Sequence, residues 1–415
     1  MVEHDLAKVG VAGSNPVFRS TKKAGLQAGF FYALFLGNPY LSSMFKRNPV
    51  RWMACALAVG LSGFLSAQEA AYPQALVPIL GTNAAPEGQM RLHALSYLRN
   101  TEYFNPIEEG QTWFGTQVAV QRAWKVAPKL TFRGGAFLNH TYGGKTTLAP
   151  VLQMRYETAH LNPSRNWYWL AGTLDGAASH GLVEPLYDLS RTLENPLEYG
   201  LQATKRVGRW RSDQWISWQK AIVYAEPAFE RIWAGTAQTF DLWSSDGKRL
   251  SAIAQGLWSH VGGQIDASPV GTPEGNRLNG AVGAVATGGW VEGWALRVGY
   301  ADPLQRFSPI QTGFGNLLHV HAKWHVHPKY TLRTGATYWD AENYAAPGGG
   351  YLFQSVNRYD PQVYQPERRL LFARLWLDRV EESHRLSLRL DPVLDVRAKT
   401  WEWAFSLYWQ IRLTP

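Results

Sequence analysis

The chain has 415 residues, a formal net charge of +9, 19 Trp, 19 Tyr, 39 Gly and one Cys. Its mean hydropathy of −0.25 excludes a helical membrane protein, which needs apolar runs of ~20 residues. A single cysteine excludes a disulfide framework and a cysteine metal site.

In chain order, the first feature is an apolar run, Trp52 to Leu65, preceded by Lys46, Arg47 and Arg51 and followed by Ser66-Ala67-Gln68. A basic region, a short apolar region and a small residue before a cut read as a secretory signal peptide. It is expected over 44–67, starting at Met44 and cut after Ala67. Residues 1–43 then read as an upstream extension from a start placed too early. Gly13-Ser14-Asn15-Pro16 matches what a tRNA T-arm would encode. Residues 68–87 are expected to be a periplasmic linker. The leader takes Cys55 with it, so no thiol chemistry is expected in the mature chain. The remainder holds 34 basic and 30 acidic side chains, a net +4, which removes the case for a nucleic-acid partner.

From Gly88 onward the sequence has period two. Phe114, Thr116, Val118 and Val120 alternate with Gln117, Ala119 and Gln121. Leu371, Ala373, Leu375 and Leu377 alternate with Arg374 and Asp378. Trp403, Phe405, Leu407, Trp409 and Ile411 alternate with Ala404, Ser406, Gln410 and Arg412. Such alternation predicts strands with two different environments on their faces. About 16 segments start near 88, 112, 129, 146, 167, 199, 213, 231, 248, 277, 291, 314, 329, 367, 385 and 401. The seventh to ninth alternate poorly, which leaves a range of roughly 14–18 strands.

Connections after the even segments are short, for example Ala127-Pro128, Ser245-Asp246-Gly247 and His327-Pro328. Several after odd segments are long, notably 181–198 and 340–366. Trp124, Trp167, Trp243, Trp290, Trp401 and Tyr330 fall beside the short turns, as interface girdles do. Together these features predict an all-β fold: a single up-and-down antiparallel transmembrane β-barrel over 88–415.

The chain thus resembles Gram-negative outer-membrane β-barrels, porin-like in style and similar to Bacteroidota barrels of unassigned role. No motif ties it to a particular family. The resemblance implies an outer-membrane location, outer-membrane lipid as surroundings and the barrel-assembly machinery as a biogenesis partner. The aromatic last strand resembles the signal that machinery reads, with Thr414-Pro415 replacing the usual terminal aromatic.

In this frame the polar face lines the lumen. Expected there are Arg133, Arg155, Lys205, Arg297, Lys323, Arg333, Arg374, Arg389 and Arg412, joined by Glu157, Asp378 and Asp391. The stretch His319-Val320-His321-Ala322-Lys323-Trp324-His325-Val326-His327 adds four histidines of one parity. They span ~26 Å of strand, too far to share one ion, and read as solvated imidazoles rather than a metal site. Loop 181–198 carries Glu184, Tyr187, Asp188, Arg191, Glu194 and, at its end, Glu198. These are candidates for a constriction folded into the lumen. Loop 340–366 carries Gly348-Gly349-Gly350 and Tyr344, Tyr351, Tyr359 and Tyr364, aromatics suited to sugar stacking.

Ser179-His180 and Ser259-His260 are adjacent pairs, and strand neighbours point to opposite faces. No nucleophile elbow, HExxH or P-loop is present. The expectation is a non-enzyme with no catalytic residue and no cofactor. Its leading function is a porin-like channel for small polar or anionic solutes. Two alternatives stand beside it: export or anchoring of an acidic polysaccharide, as in alginate exporters or Wzi-type capsule lectins, and an outer-membrane enzyme.

Overall fold

The computed structural model describes residues 88–158, 165–176, 179–188, 190–222, 228–262, 275–303 and 310–413. The expected extension, signal peptide and linker, with Cys55, lie outside the described residues.

Sixteen strands follow one another. They are β1 Met90–Glu102, β2 Thr112–Ala127, β3 Leu130–Thr141, β4 Thr146–Glu157, β5 Arg165–Thr173, β6 Tyr199–Val207, β7 Trp210–Lys220 and β8 Glu230–Ser245. Then come β9 Lys248–Gly262, β10 Gly275–Gly288, β11 Val291–Ala301, β12 Thr312–His327, β13 Tyr330–Glu342, β14 Glu367–Val380, β15 His384–Asp395 and β16 Thr400–Leu413. Every strand begins within three residues of its predicted start. Each pairs antiparallel with its sequence neighbours, and β1 pairs with β16 to close the barrel. The short turns and both ends of the barrel lie on one side, the long loops on the other.

Faces follow the alternation. Along β16, Trp401, Trp403, Phe405, Leu407 and Trp409 are exposed, while Glu402, Ala404, Ser406, Tyr408 and Gln410 are buried. Leu371, Leu375 and Leu377 of β14 point outward with Arg374 and Asp378 buried opposite. The exposed apolar face is the lipid-facing belt, and the girdle tryptophans Trp124, Trp167, Trp243, Trp290 and Trp401 are exposed on it. Poor alternation in the seventh to ninth segments has a local cause. Register shifts fall between Trp218 and Lys220 and between Asp241 and Trp243, and an inserted residue reverses which parity faces in.

Three expected lumen residues are corrected. On β11 the buried face is Glu292, Trp294, Leu296, Val298 and Tyr300. Arg297 is therefore on the outer face, over the Phe314 ring at 3.7 Å and donating to Asn316 Oδ1 at 2.9 Å. Lys205 likewise lies outside, 4.8 Å from the Trp210 ring. Both errors come from equating polar with inward; on β11 the inner face is largely apolar, and on β6 Lys205 shares the outer parity of Tyr199 and Leu201. His327 is the third. A register shift between His325 and His327 pairs it with Tyr330, whose ring is 5.7 Å away. The imidazole leaves the lumen row at the turn.

The belt gives a test. Val282, at the middle of β10, is 58% exposed. Val282→Arg is expected to destabilise the barrel by about 2–4 kcal/mol, measured by denaturant unfolding in lipid vesicles. Arginine at Ala404, on the buried face of β16, should instead act through overpacking and charge burial, independently of bilayer thickness.

Candidate functional site

Two long loops turn back into the barrel and pack against its inner wall. The first, between β5 and β6, buries Leu174, Val183, Leu186, Tyr187 and Leu193 and contains one helical turn, α1, Arg191–Glu194. The second, between β13 and β14, buries Tyr344, Ala345, Ala346, Leu352, Phe353 and Val356. Both pack with inward wall residues in one apolar cluster that includes Trp294, Leu296, Trp339, Leu370 and Phe372. The loops also bond to each other. Asp188 N–H donates to Gly348 O at 2.7 Å, Gly350 N–H to Glu184 O at 2.9 Å, and Tyr344 Oη to Pro185 O at 2.8 Å. The glycine triplet permits this approach: a Cβ on Gly349 would lie 1.9 Å from Pro185 O.

The wall holds the loops by polar contacts around the barrel. Gln255 of β9 accepts from Val183 N–H at 2.9 Å and donates to Gly181 O at 3.0 Å. Gln117 of β2 donates to Thr192 O and Leu193 O, each at 3.1 Å. Asn279 of β10 donates to Ala345 O at 2.8 Å. Among the described residues these loops form a packed core against the inner wall. Each buried loop carbonyl and amide that leaves water needs such a partner.

All six loop residues singled out in the sequence enter this core. Glu184 meets Arg374 at 2.5 Å. Tyr187 donates to Glu198 Oε1, Asp188 accepts from Ser190, and Glu194 accepts from Trp113 Nε1 at 3.0 Å. Arg191 lies over the Trp233 ring at 4.1 Å and donates to Gln219 at 2.5 Å. Burial pushes the Glu184 carboxyl up, but Arg374 and Arg389 outweigh it and hold it below the usual carboxylate range.

The densest cluster centres on His180, a residue the sequence discounted. Its Nε2 is 2.7 Å from Glu198 and its Nδ1 2.9 Å from Asp213 of β7. The ring stacks on Trp215 at 3.7 Å. Burial pulls the imidazole pKa down, but Glu198 and Asp213 overcome it and raise it to about 9. Both nitrogens then carry protons, and neither is open to accept one. The arrangement is a clamp between loop and wall, not a general base. No spacing rule in the sequence could bring 180, 198 and 213 together, because barrel register does so.

The remaining wall residues are mostly paired. Arg389 meets Asp391 at 2.5 Å, Arg385 and Arg333 meet Asp378 at 2.7 and 3.4 Å, and Arg155 meets Glu157 at 3.6 Å. Arg133 is buried on the inner face, and Arg412 stands inward at the open rim of the short-turn side. His319 is buried, not solvated. Its Nδ1 is 2.7 Å from Thr337 Oγ1 and its Nε2 3.2 Å from His321. It faces a small pocket shared with Glu184, Trp294 and Phe353. Lys323 and His325 continue the row toward the turn, His325 3.1 Å from Thr331. Of the loop tyrosines, Tyr344 is buried and Tyr351 is covered by Arg358 at 3.9 Å, while Tyr359 and Tyr364 stay exposed.

A closed antiparallel barrel with an apolar outer belt, aromatic girdles and loops folded through its lumen is an outer-membrane β-barrel. Residues 81–414 match the Lipid A 3'-O-deacylase-type family, and the chain belongs to it. That is a family of enzymes, which overturns the expectation of a non-enzyme. Among curated proteins none matches the chain. Solved barrels that resemble it include OprB of Pseudomonas putida, at 8% identity over 79% of this chain and 94% of that one, TM-score 0.49. OccAB4 of Acinetobacter baumannii has 7% identity over 80% and 99%, TM-score 0.46. A loop-deleted OmpT of Vibrio cholerae has 11% identity over 79% and 100%, TM-score 0.47. These likenesses carry no chemistry over.

The clamp has a defined pH response. A histidine raised above its ordinary value stabilises the fold fully below about 6.5 and loses that contribution as pH rises through about 9. Protease cutting within 174–198 should therefore increase between neutral pH and pH ~10. His180→Gln should cut readily at neutral pH and lose the pH step. A pH-independent cutting rate in the unsubstituted protein would remove the clamp.

Proposed function

We propose that the chain is an outer-membrane hydrolase that removes an ester-linked acyl chain from lipid A. Family membership suggests the chemistry, and one structural observation carries the reading. Loops inside the lumen are anchored to the wall from β2 round to β14, so much of the interior serves as scaffold. A lipid substrate approaches such a protein from the bilayer, across the apolar outer wall. Expression in a Gram-negative host should yield lipid A lighter by one acyl chain, read by mass spectrometry of extracted lipid. Unchanged lipid A, with the protein folded in the outer membrane, would overturn the reading.

A second reading keeps a solute channel for small polar or anionic solutes, with the loops as a gate. The polar, ion-paired wall favours it: Arg374, Arg389 and Arg385, with Glu184, Asp391 and Asp378, line a path suited to polar solutes. Purified protein in a planar bilayer separates the two, since stepwise anion-selective conductance belongs only to the second. Under either reading, delivery would use the 44–67 signal and the barrel-assembly machinery would read β16.

A further inference from the structure

One sector of the outer wall departs from the apolar rule. On β7 the outward positions are Trp210, Ser212, Gln214, Ile216 and Trp218, since Asp213 and Trp215 point in to His180. On β8 they are Ile232, Ala234, Thr236, Gln238 and Phe240, since Trp233 points in to Arg191. Ser212 pairs in register with Gln238, and Gln214 with Thr236. Trp210 and Phe240 pair on the short-turn side of these four, Trp218 and Ile232 on the long-loop side. The four polar groups therefore lie inside the apolar band, where β14 and β16 carry leucine and aromatic side chains.

Three of them are tied together. Trp210 Nε1 donates to Gln238 Oε1 at 2.9 Å, and Gln238 Nε2 donates to Ser212 Oγ at 2.8 Å and Thr236 Oγ1 at 2.7 Å. Gln214 stands apart. It is exposed, and among the described residues its amide makes no hydrogen bond. A primary amide facing hydrocarbon loses its water partners and gains none. A polar group kept at that depth marks contact with something other than lipid.

The neighbouring surface fits a second barrel. On β9, Ala252, Ala254 and Gly256 pair with Phe240, Gln238 and Thr236, and Gly280 of β10 continues the Gly256 row. Two convex walls touch most closely along one line, and small side chains let the backbones come near there. Five strands, β6 to β10, at ~4.8 Å spacing over a ~25 Å band give ~600 Å² on each copy and ~1,200 Å² in a pair, the size of a specific interface. Gln, Ser and Thr side chains both donate and accept. Such a face is complementary to itself about a two-fold axis along the bilayer normal, which brings equal depths together and keeps both barrels inserted the same way. Lys205 adds no repulsion within the band: it lies over the Trp210 ring near the short turn, at the water boundary.

We infer that the outer face centred on β7, β8 and β9 is the interface of a dimer of this chain, with Gln214 and its polar row joining the two walls. The pairing is independent of the chemistry the barrel performs.

The test uses the full-length chain in outer membranes, carrying Cys55→Ala so that an introduced cysteine stands alone. Ala234→Cys, beside the polar row, should give a two-barrel band with a short bis-maleimide. Leu407→Cys, exposed on β16, should not. The unsubstituted protein in mild detergent should show twice the chain mass by light scattering. Ala254→Trp should show the single-chain mass, since a bulky apolar group suits lipid but blocks close approach. Gln214→Leu should associate about tenfold more weakly. Heat-modifiable gel migration confirms that each variant is folded. Absence of the two-barrel band at Ala234→Cys would overturn the inference. So would a cross-link there only to a different protein, or a dimer that folded Ala254→Trp and Gln214→Leu both leave intact.

Discussion

The whole structure depends on one constraint: a backbone amide in hydrocarbon has no solvent partner. Each unpaired group in lipid costs several kcal/mol, so strands that cross must pair on both edges. Here β1 and β16 satisfy the last two edges by pairing over Leu92–Glu102 and Trp403–Leu413. Closure then dictates the sequence. Each strand has one face in lipid, which must be apolar, and successive residues alternate. Turns on one side only reverse the chain and stay short, while loops on the other side are free to grow.

A barrel of sixteen strands encloses more space than wall side chains can fill. The described residues of the β5–β6 and β13–β14 loops occupy part of that space, and they bring a second constraint with them. Charges withdrawn from water need partners, and breaking one member of a buried pair leaves the other uncompensated. That is why Glu184 sits on Arg374 and His180 sits between Glu198 and Asp213. The wall charges read as a basic lining are for the most part half of such pairs.

What the sequence disclosed follows from these two constraints. Lipid acts on every strand in the same way, so strand limits, faces and turn sides are all written locally, in period two. The interior acts differently at each strand. Where the wall meets a dry loop, as on β11, the inner face is as apolar as the outer, and polarity no longer tells in from out. Arg297 was misplaced for that reason. His327 was misplaced because one extra residue at a turn reverses parity. The His180 clamp was invisible because its members are joined by register and loop folding, over separations no local pattern encodes. Family membership was invisible for a similar reason: it rests on residues spread over 81–414, not on a compact motif.

Placing chemistry on the outer wall resolves a conflict between stability and access. A catalytic histidine needs a free lone pair and a route for substrate. His180 has neither, since carboxylates engage both nitrogens and its side chain is fully covered. His319 lies beneath the plug, closed to lipid. The barrel interior then serves rigidity. Loops anchored to β2, β9, β10 and β14 brace the wall from within and hold its strands in register.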